Sequence, residues 1–345
     1  MKQIVLFIIS LILILTGCSM RTNKEDQIIK KDGNTKKEKS IIPKYSISNE
    51  YYQMVIPLKE QKIVGTINEK TNSKLNVDEF ETGLMNIALK QFDTKKYYFQ
   101  RSEYLSLKAL EKIITGQETP YVSNIIEHDY FTKKDNNRLE LGGIVVGLAM
   151  TSNYSNEEIL NKGNEIANEL LKELYKSDVT QTVPITFAIF KQESKTSLKA
   201  GTIISSSIVA KGDQKVGEWS TVNEQSFVYP SEELTKMHDK DVELLDEFSK
   251  QIKDTAKDQN FSVGVSAKLN YKENKLEKLN ISLNIEINDR SEAIKWTEVV
   301  TDKAVNLFKN NKSTKIQLTI KSAQKNEAVV ILNKNGDKPF VYFMD

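Results

Sequence analysis

The stretch "LILILTGCSM", residues 11–20, carries the single cysteine of a 345-residue chain. Leu15, Thr16, Gly17 and Cys18 stand in the order of a bacterial lipobox, small residues leading to a thiol. In that reading a diacylglyceryl group joins the Cys18 sulfur and the chain is cut between Gly17 and Cys18. Ahead of it Lys2 supplies a cationic start, and Ile4 to Leu15 is apolar except for Ser10. That layout is an exported leader, and the run is short for a bilayer span. The competing readings are a buried hydrophobic cysteine and an uncleaved anchor helix. A lipidated thiol leaves no intrachain disulfide, so the folded part must rest on its core alone.

The other residues with reactive side chains at suggestive spacing are few. "IEHDYF" sets Glu127, His128 and Asp129 in a row, the residue types of an acid–base cluster. Adjacent side chains diverge on a helix or a strand, so contiguity builds no triad. His238 lies among Lys and Asp on what reads as a solvated helix face. Neither histidine has a partner at metal-ligand spacing, so no metal site is expected. "GGIVVG" lacks phosphate-loop spacing, and no Walker, Gly-x-Ser-x-Gly or His-Glu-x-x-His motif is present. Trp219 offers a stacking surface, and packing explains it equally well. No catalytic residue and no cofactor are expected.

The elements that would position a site follow from period and caps. Apolar residues recur on one face at Ile159, Gly163, Ile166, Leu170 and Leu174, with Ser155 and Glu158 at capping-box spacing. A second helix carries Phe80, Leu84, Ile87 and Ala88, with Asn76 and Glu79 as caps. A short one before Gly116, a long one over 231–259 and one following Asp289 or Ser291 complete the set. Alternation marks strands at Phe261–Leu269 and Leu279–Ile287, joined as a hairpin with one wet face. "GGIVVGLAM" and "PITFAIF" are apolar on both faces and suit central strands. Asn335-Gly336 between two strand-like runs signals a further hairpin.

These elements predict an α+β fold with mixed or antiparallel sheets and packed helices. "GIVVGLAM", the helix after Ser155 and "VPITFAIFKQ" run strand, helix, strand. "LNISLNIEI", the helix after Asp289 and "TKIQLTIKS" repeat that order. If the echo is a duplication, the folded region divides into related lobes, 45–215 and 216–345. Residues 1–17 read as the signal peptide. Residues 18–44 are polar and poor in aromatics, the composition of a flexible tether from Cys18. With 49 Lys and Arg against 47 Asp and Glu there is no basic excess to hold nucleic acid.

Six blocks in order carry a family likeness: "YYQMVIPLKE", "DEFETGLMNIALKQF", "PYVSNIIEHDYF", "GGIVVGLAM", "ITFAIFKQ" and "GEWSTVNEQSFVYPS". Together they resemble the CamS-type sex-pheromone lipoproteins of low-GC Gram-positive bacteria, from about Tyr51 to the C-terminus. The resemblance implies a lipoprotein anchored on the extracytoplasmic face of the cell membrane, matured by a lipid transferase and a signal peptidase. It also implies a hydrophobic peptide released from the leader, here Leu11, Ile12, Leu13, Ile14, Leu15, Thr16 and Gly17. Family peptides tend to read Ala-Ile-Phe-Ile-Leu-Ala and then a small residue. Ile12, Ile14 and Leu15 keep that register and the other four depart from it. The family supplies no catalytic residue for the mature domain. The expectation is therefore a non-catalytic binding or interaction module. A solute- or peptide-binding lipoprotein of an importer is the first alternative, and an envelope enzyme built on Glu127, His128 or Asp129 the second. A ligand cleft between lobes would favour the former.

Overall fold

The computed structural model describes residues 27–31, 37–59, 71–116, 120–134, 137–259, 261–311, 313–332 and 338–344. The lipobox, the leader peptide and the Asn335-Gly336 turn lie outside the described residues.

The N-terminal half is built on a nine-stranded sheet. Its strands are β1 (Gln27–Lys31), β2 (Lys37–Ile41), β3 (Gln53–Met54), β5 (Tyr97–Arg101), β6 (Val122–Lys133), β7 (Arg138–Met150), β8 (Ile185–Lys191), β10 (Thr202–Val209) and β11 (Ser220–Thr221). The short strands β4 (Ser73–Lys74) and β9 (Glu193–Ser194) pair separately. Three helices accompany them: α1 (Val77–Ala88), α2 (Leu107–Thr115) and α3 (Asn156–Leu174). The C-terminal half is a six-stranded sheet of β12 (Glu224–Tyr229), β13 (Val263–Lys272), β14 (Lys275–Ile285), β15 (Lys315–Lys321), β16 (Asn326–Leu332) and β17 (Phe340–Phe343). It carries α4 (Glu232–Met237), α5 (Asp239–Lys257) and α6 (Arg290–Phe308).

The mixed α+β fold is as the sequence pattern implies, and the echo is a true topological repeat. In the first sheet β5, β6 and β7 run antiparallel, β7 and β8 pair in parallel across α3, and β10 returns antiparallel. In the second, β12, β13 and β14 run antiparallel, β14 and β15 pair in parallel across α6, and β16 returns antiparallel. A helix also separates the first two strands of each unit, α2 in one and α4–α5 in the other.

The two units differ in how many faces they cover. Ile144, Val146 and Leu148 of β7 pack under α2 and α3, while Val145 and Ala149 pack under α1 on the opposite face. Coverage on both sides is why this strand has no polar alternation. In the second sheet Leu279, Ile281 and Leu283 of β14 pack against α5 and α6. The alternate residues Asn280, Ser282 and Asn284 are not buried, and their cross-strand partners Lys268, Gln317 and Thr319 share that uncovered face.

Caps fall where the sequence places them. Ser155 and Glu158 form a reciprocal capping box, Asn76 accepts the Glu79 N–H, and Asp289 accepts the Glu292 N–H. The long helix expected over 231–259 is instead two helices broken at His238 (φ −144°, ψ 58°). The His238 ring stacks on Tyr271 with centroids 3.6 Å apart, so it is half-buried rather than on a solvated face. Within the stretch expected as a tether, residues 27–31 and 37–41 form strands. β1 pairs with β2 and with β7, and Ile42 is buried with Val55, Phe131 and Leu139. The apolar pair Ile41-Ile42 gives this segment a place in the core that its average polarity conceals.

Candidate functional site

Glu127, His128 and Asp129 are consecutive on β6 and all buried. A strand sends successive side chains to opposite faces. The Glu127 carboxylate turns towards the segment before α2 and accepts the N–H groups of Glu103 at 3.0 Å, Tyr104 at 2.7 Å and Leu105 at 2.7 Å. Asp129 joins it there, with Oδ2 accepting the Glu103 N–H at 3.1 Å. Burial holds the Glu127 carboxyl above the usual carboxylate range, while the hydrogen bonds from Asp129 and the two backbone amides pull it back.

His128 faces the other way, edge-on to Phe99 with ring centroids 4.8 Å apart. Its Nε2 is 3.9 Å from Glu81 Oε1, too long for a hydrogen bond. Burial lowers its pKa, and Glu81 pulls it back up. Glu81 itself is held down by His128 and by Arg101, whose Nη1 donates to it at 2.9 Å. The three residues thus form two separate buried clusters, and no acid–histidine pair converges on an open space. Trp219 donates from Nε1 to Asn164 Oδ1 at 3.0 Å and packs against the core under α3. Among the described residues no group of His, Cys, Asp and Glu is arranged to hold a metal ion. No described helix is long and apolar enough to cross a membrane.

One open space lies between the two repeat units. A cavity of about 320 Å³ has α1 as one wall and the uncovered face of the second sheet as the other. α1 buries Phe80, Leu84 and Ile87 in the first unit and turns Glu79, Thr82 and Asn86 to the cleft, with Lys90 in the turn just past its C-terminus. Across it stand Glu224 and Ser226 of β12, Asn270 and Lys272 of β13, and Lys278 of β14. α1 is held close by small residues. A Cβ on Gly147 would lie 2.6 Å from Leu84 Cδ1, and one on Gly83 2.7 Å from Ile203 Cγ1.

The cleft's charged side chains are unspent. Among the described residues, Glu79, Lys90, Glu224, Lys272, Glu277 and Lys278 form no ion pair or side-chain hydrogen bond. Burial raises the pKa of Glu224, and Lys272 and Lys90 oppose that rise. A second chamber of about 220 Å³ adjoins the first and shares Gly201, Thr202, Glu224, Gln225 and Ser226 with it. Gly201 sits at the join with φ +88°, where a Cβ would lie 2.7 Å from the Lys191 carbonyl oxygen. Sequence reasoning assigns none of these residues to a site. Their one legible signal was the polar half of the alternation in β13 and β14, which reads as ordinary solvent exposure.

Fold and cleft define a class: a tandem α+β repeat whose units enclose a polar crevice. The chain belongs to the family described as CamS sex pheromone cAM373 precursor, which it matches over residues 58–120 and 111–338. It is 44% identical to a sex pheromone staph-cAM373 precursor of known crystal structure, covering 84% of this chain and 99% of that one, with a TM-score of 0.52. A sex pheromone precursor from Lactobacillus salivarius subsp. salivarius UCC118 shares 22% identity over 87% of this chain and 98% of its own, with a TM-score of 0.76. The C-terminal domain of sex pheromone staph-cAM373 precursor from Staphylococcus aureus shares 23% identity, covers 79% and 98% respectively, and gives a TM-score of 0.63. The last two likenesses concern the fold alone. No curated protein matches the chain.

Proposed function

We propose that the chain is a lipid-anchored extracytoplasmic protein whose folded part binds a small polar ligand and performs no chemistry on it. The observation that carries this reading is the inter-unit cleft with six charged side chains that form no ion pair or side-chain hydrogen bond among the described residues. Convergent polar groups in a crevice between units are the usual mark of a ligand site. The enzyme alternative loses support because Glu127 and Asp129 lie on the face of β6 opposite His128. The cleft favours the solute- or peptide-binding alternative over a module that presents only an outer surface.

Anchoring and peptide release rest on the leader. Cys18 is the acylation point, Gly17 and Cys18 flank the cut, and Leu11 to Gly17 is the released heptapeptide. Two acyl chains on Cys18 give stable attachment where one would not. The leader supplies the family's peptide, and the folded part has a separate task at the membrane surface.

A thermal-shift panel on the full chain in detergent micelles tests the binding reading. Amino acids, oligosaccharides, nucleosides and tetrapeptides serve as probes. A ligand that binds only the folded state at 100 times its Kd adds about 2.7 kcal/mol. At least one class should raise the transition temperature of the wild type and leave Lys90→Met unmoved. Equal shifts in both proteins would refute the cleft as the binding site.

A further inference from the structure

We infer that the cleft takes a short extended peptide bearing both acidic and basic groups, laid along the free edge of β12. This rests on the ligand-binding reading above and names the ligand's class.

Three observations carry it. The first is charge. Glu79, Glu224 and Glu277 face the same space as Lys90, Lys272 and Lys278, and none forms an ion pair among the described residues. A purely anionic or cationic ligand would satisfy one set and repel the other. A ligand with both signs answers both, and complementary placement of charge is what fixes register and partner choice.

The second is shape. The two chambers, about 320 and 220 Å³, meet at Gly201–Thr202 on one side and Glu224–Ser226 on the other. The two chambers are therefore continuous past the β12 edge at Glu224–Ser226. The second chamber is lined in addition by Phe227 and Met237 and by Lys199, which pairs with Glu233.

The third is backbone. β12 is the terminal strand of its sheet and pairs only with β13. On its outer side the Glu224 carbonyl accepts from the Thr202 hydroxyl at 3.3 Å. Gln225 to Phe227 have no strand partner on that side among the described residues. An extended chain added to a free strand edge gains main-chain hydrogen bonds, and flanking pockets then select its side chains. The leader segment Leu11–Gly17 has no charged side chain, so as a free peptide it offers the cleft only its two termini.

Hydrogen exchange read by mass spectrometry on the micelle-bound full chain tests this. The probes are a pool of tetrapeptides built from Lys, Glu, Ser and Ala, and a capped pool of Ser and Ala alone. The mixed-charge pool should slow exchange over 224–228 by about tenfold, and the capped pool by much less. Lys90→Met, on an exposed side chain, and Glu224→Gln should each remove most of that protection. Equal protection by both pools, or full protection in both variants, would overturn the inference. If free amino acids or oligosaccharides protect the segment and the peptides do not, the peptide class is wrong and the cleft reading stands. If no probe protects it, both fail.

Discussion

Glu127 Oε2 accepts the Leu105 N–H at 2.7 Å, across the gap between a central strand and the loop that starts α2. With Glu103 and Tyr104 donating to Oε1 as well, one buried carboxylate satisfies three backbone donors ahead of α2. Its task is to tie a helix to the sheet. Charge-assisted hydrogen bonds are the strong kind, and buried donors left alone are costly. Glu127→Ala should therefore lower unfolding free energy by about 3 kcal/mol, read by urea denaturation, and Glu127→Gln by about half as much. A neutral result for the alanine variant would contradict this role.

The same region sets the acid response. The folded pKa of His128 lies below the ordinary value of about 6.5, so its contribution is fully present above that pH and lost as pH falls through the folded value. Glu81, also depressed, contributes above the ordinary carboxylate range and loses its share lower still, as pH falls. Both act in one direction, so the urea midpoint should drop as pH falls from 7.5 to about 3. His128→Leu should flatten the upper part of that fall and shrink the lower part, where Arg101 alone then holds the Glu81 carboxyl down. An unchanged slope would assign the acid limb to other groups.

Gly147 controls the seat of α1. A Cβ there would meet Leu84 Cδ1 and the Phe80 ring at 2.6 Å, both well inside contact distance. Gly147→Ala should cost about 1–3 kcal/mol by forcing the helix outward. Since α1 is a cleft wall, the variant should also bind more weakly any ligand that the thermal-shift panel finds. Loss of stability with unaltered binding would separate the helix from the site.

The capping box of α3 gives a local test. Ser155 Oγ accepts the Glu158 N–H at 3.2 Å, and Glu158 Oε2 accepts the Ser155 N–H at 2.9 Å. Ser155→Ala should lower stability by about 1 kcal/mol, with no change in ligand response.

What could be read from the chain follows from where its constraints are local. Caps at Asn76, Ser155 and Asp289 need only a side chain and the next turn, so they were legible. The parallel pairs β7–β8 and β14–β15 were legible as strand–helix–strand order. The break at His238 was not, because the ring it stacks on, Tyr271, lies on a distant strand that only the fold brings near. The role of Ile42 was hidden for the same reason, since its partners Val55, Phe131 and Leu139 are distant. The cleft was least legible of all. Lys90, Glu224 and Lys272 are ordinary surface residues by type, and only the packing of α1 against the first unit brings them to one space.

The leader makes its own prediction. Ile12, Ile14 and Leu15 keep the register of family peptides, while Leu11 and Leu13 replace Ala and Phe. A receptor fitted to the latter should discriminate by roughly 1–3 kcal/mol per poorly fitted group. Synthetic LILILTG should thus induce clumping of enterococcal plasmid carriers weakly or not at all. Full activity at a family peptide's concentration would refute the discrimination.

Anchoring has an equally direct outcome. Cys18→Ala should lose fatty-acid label and accumulate as uncut precursor, and equal labelling of the variant would remove the lipobox reading.

The central claim is that the folded part holds a ligand between its two repeat units. Native mass spectrometry of the full chain, released in mild detergent from producing cells, addresses it most directly. The account predicts a mass excess below about 1 kDa, lost on collisional activation and absent from the Lys90→Met/Glu224→Gln double variant. Identical spectra for the two proteins, with or without an adduct, would contradict it.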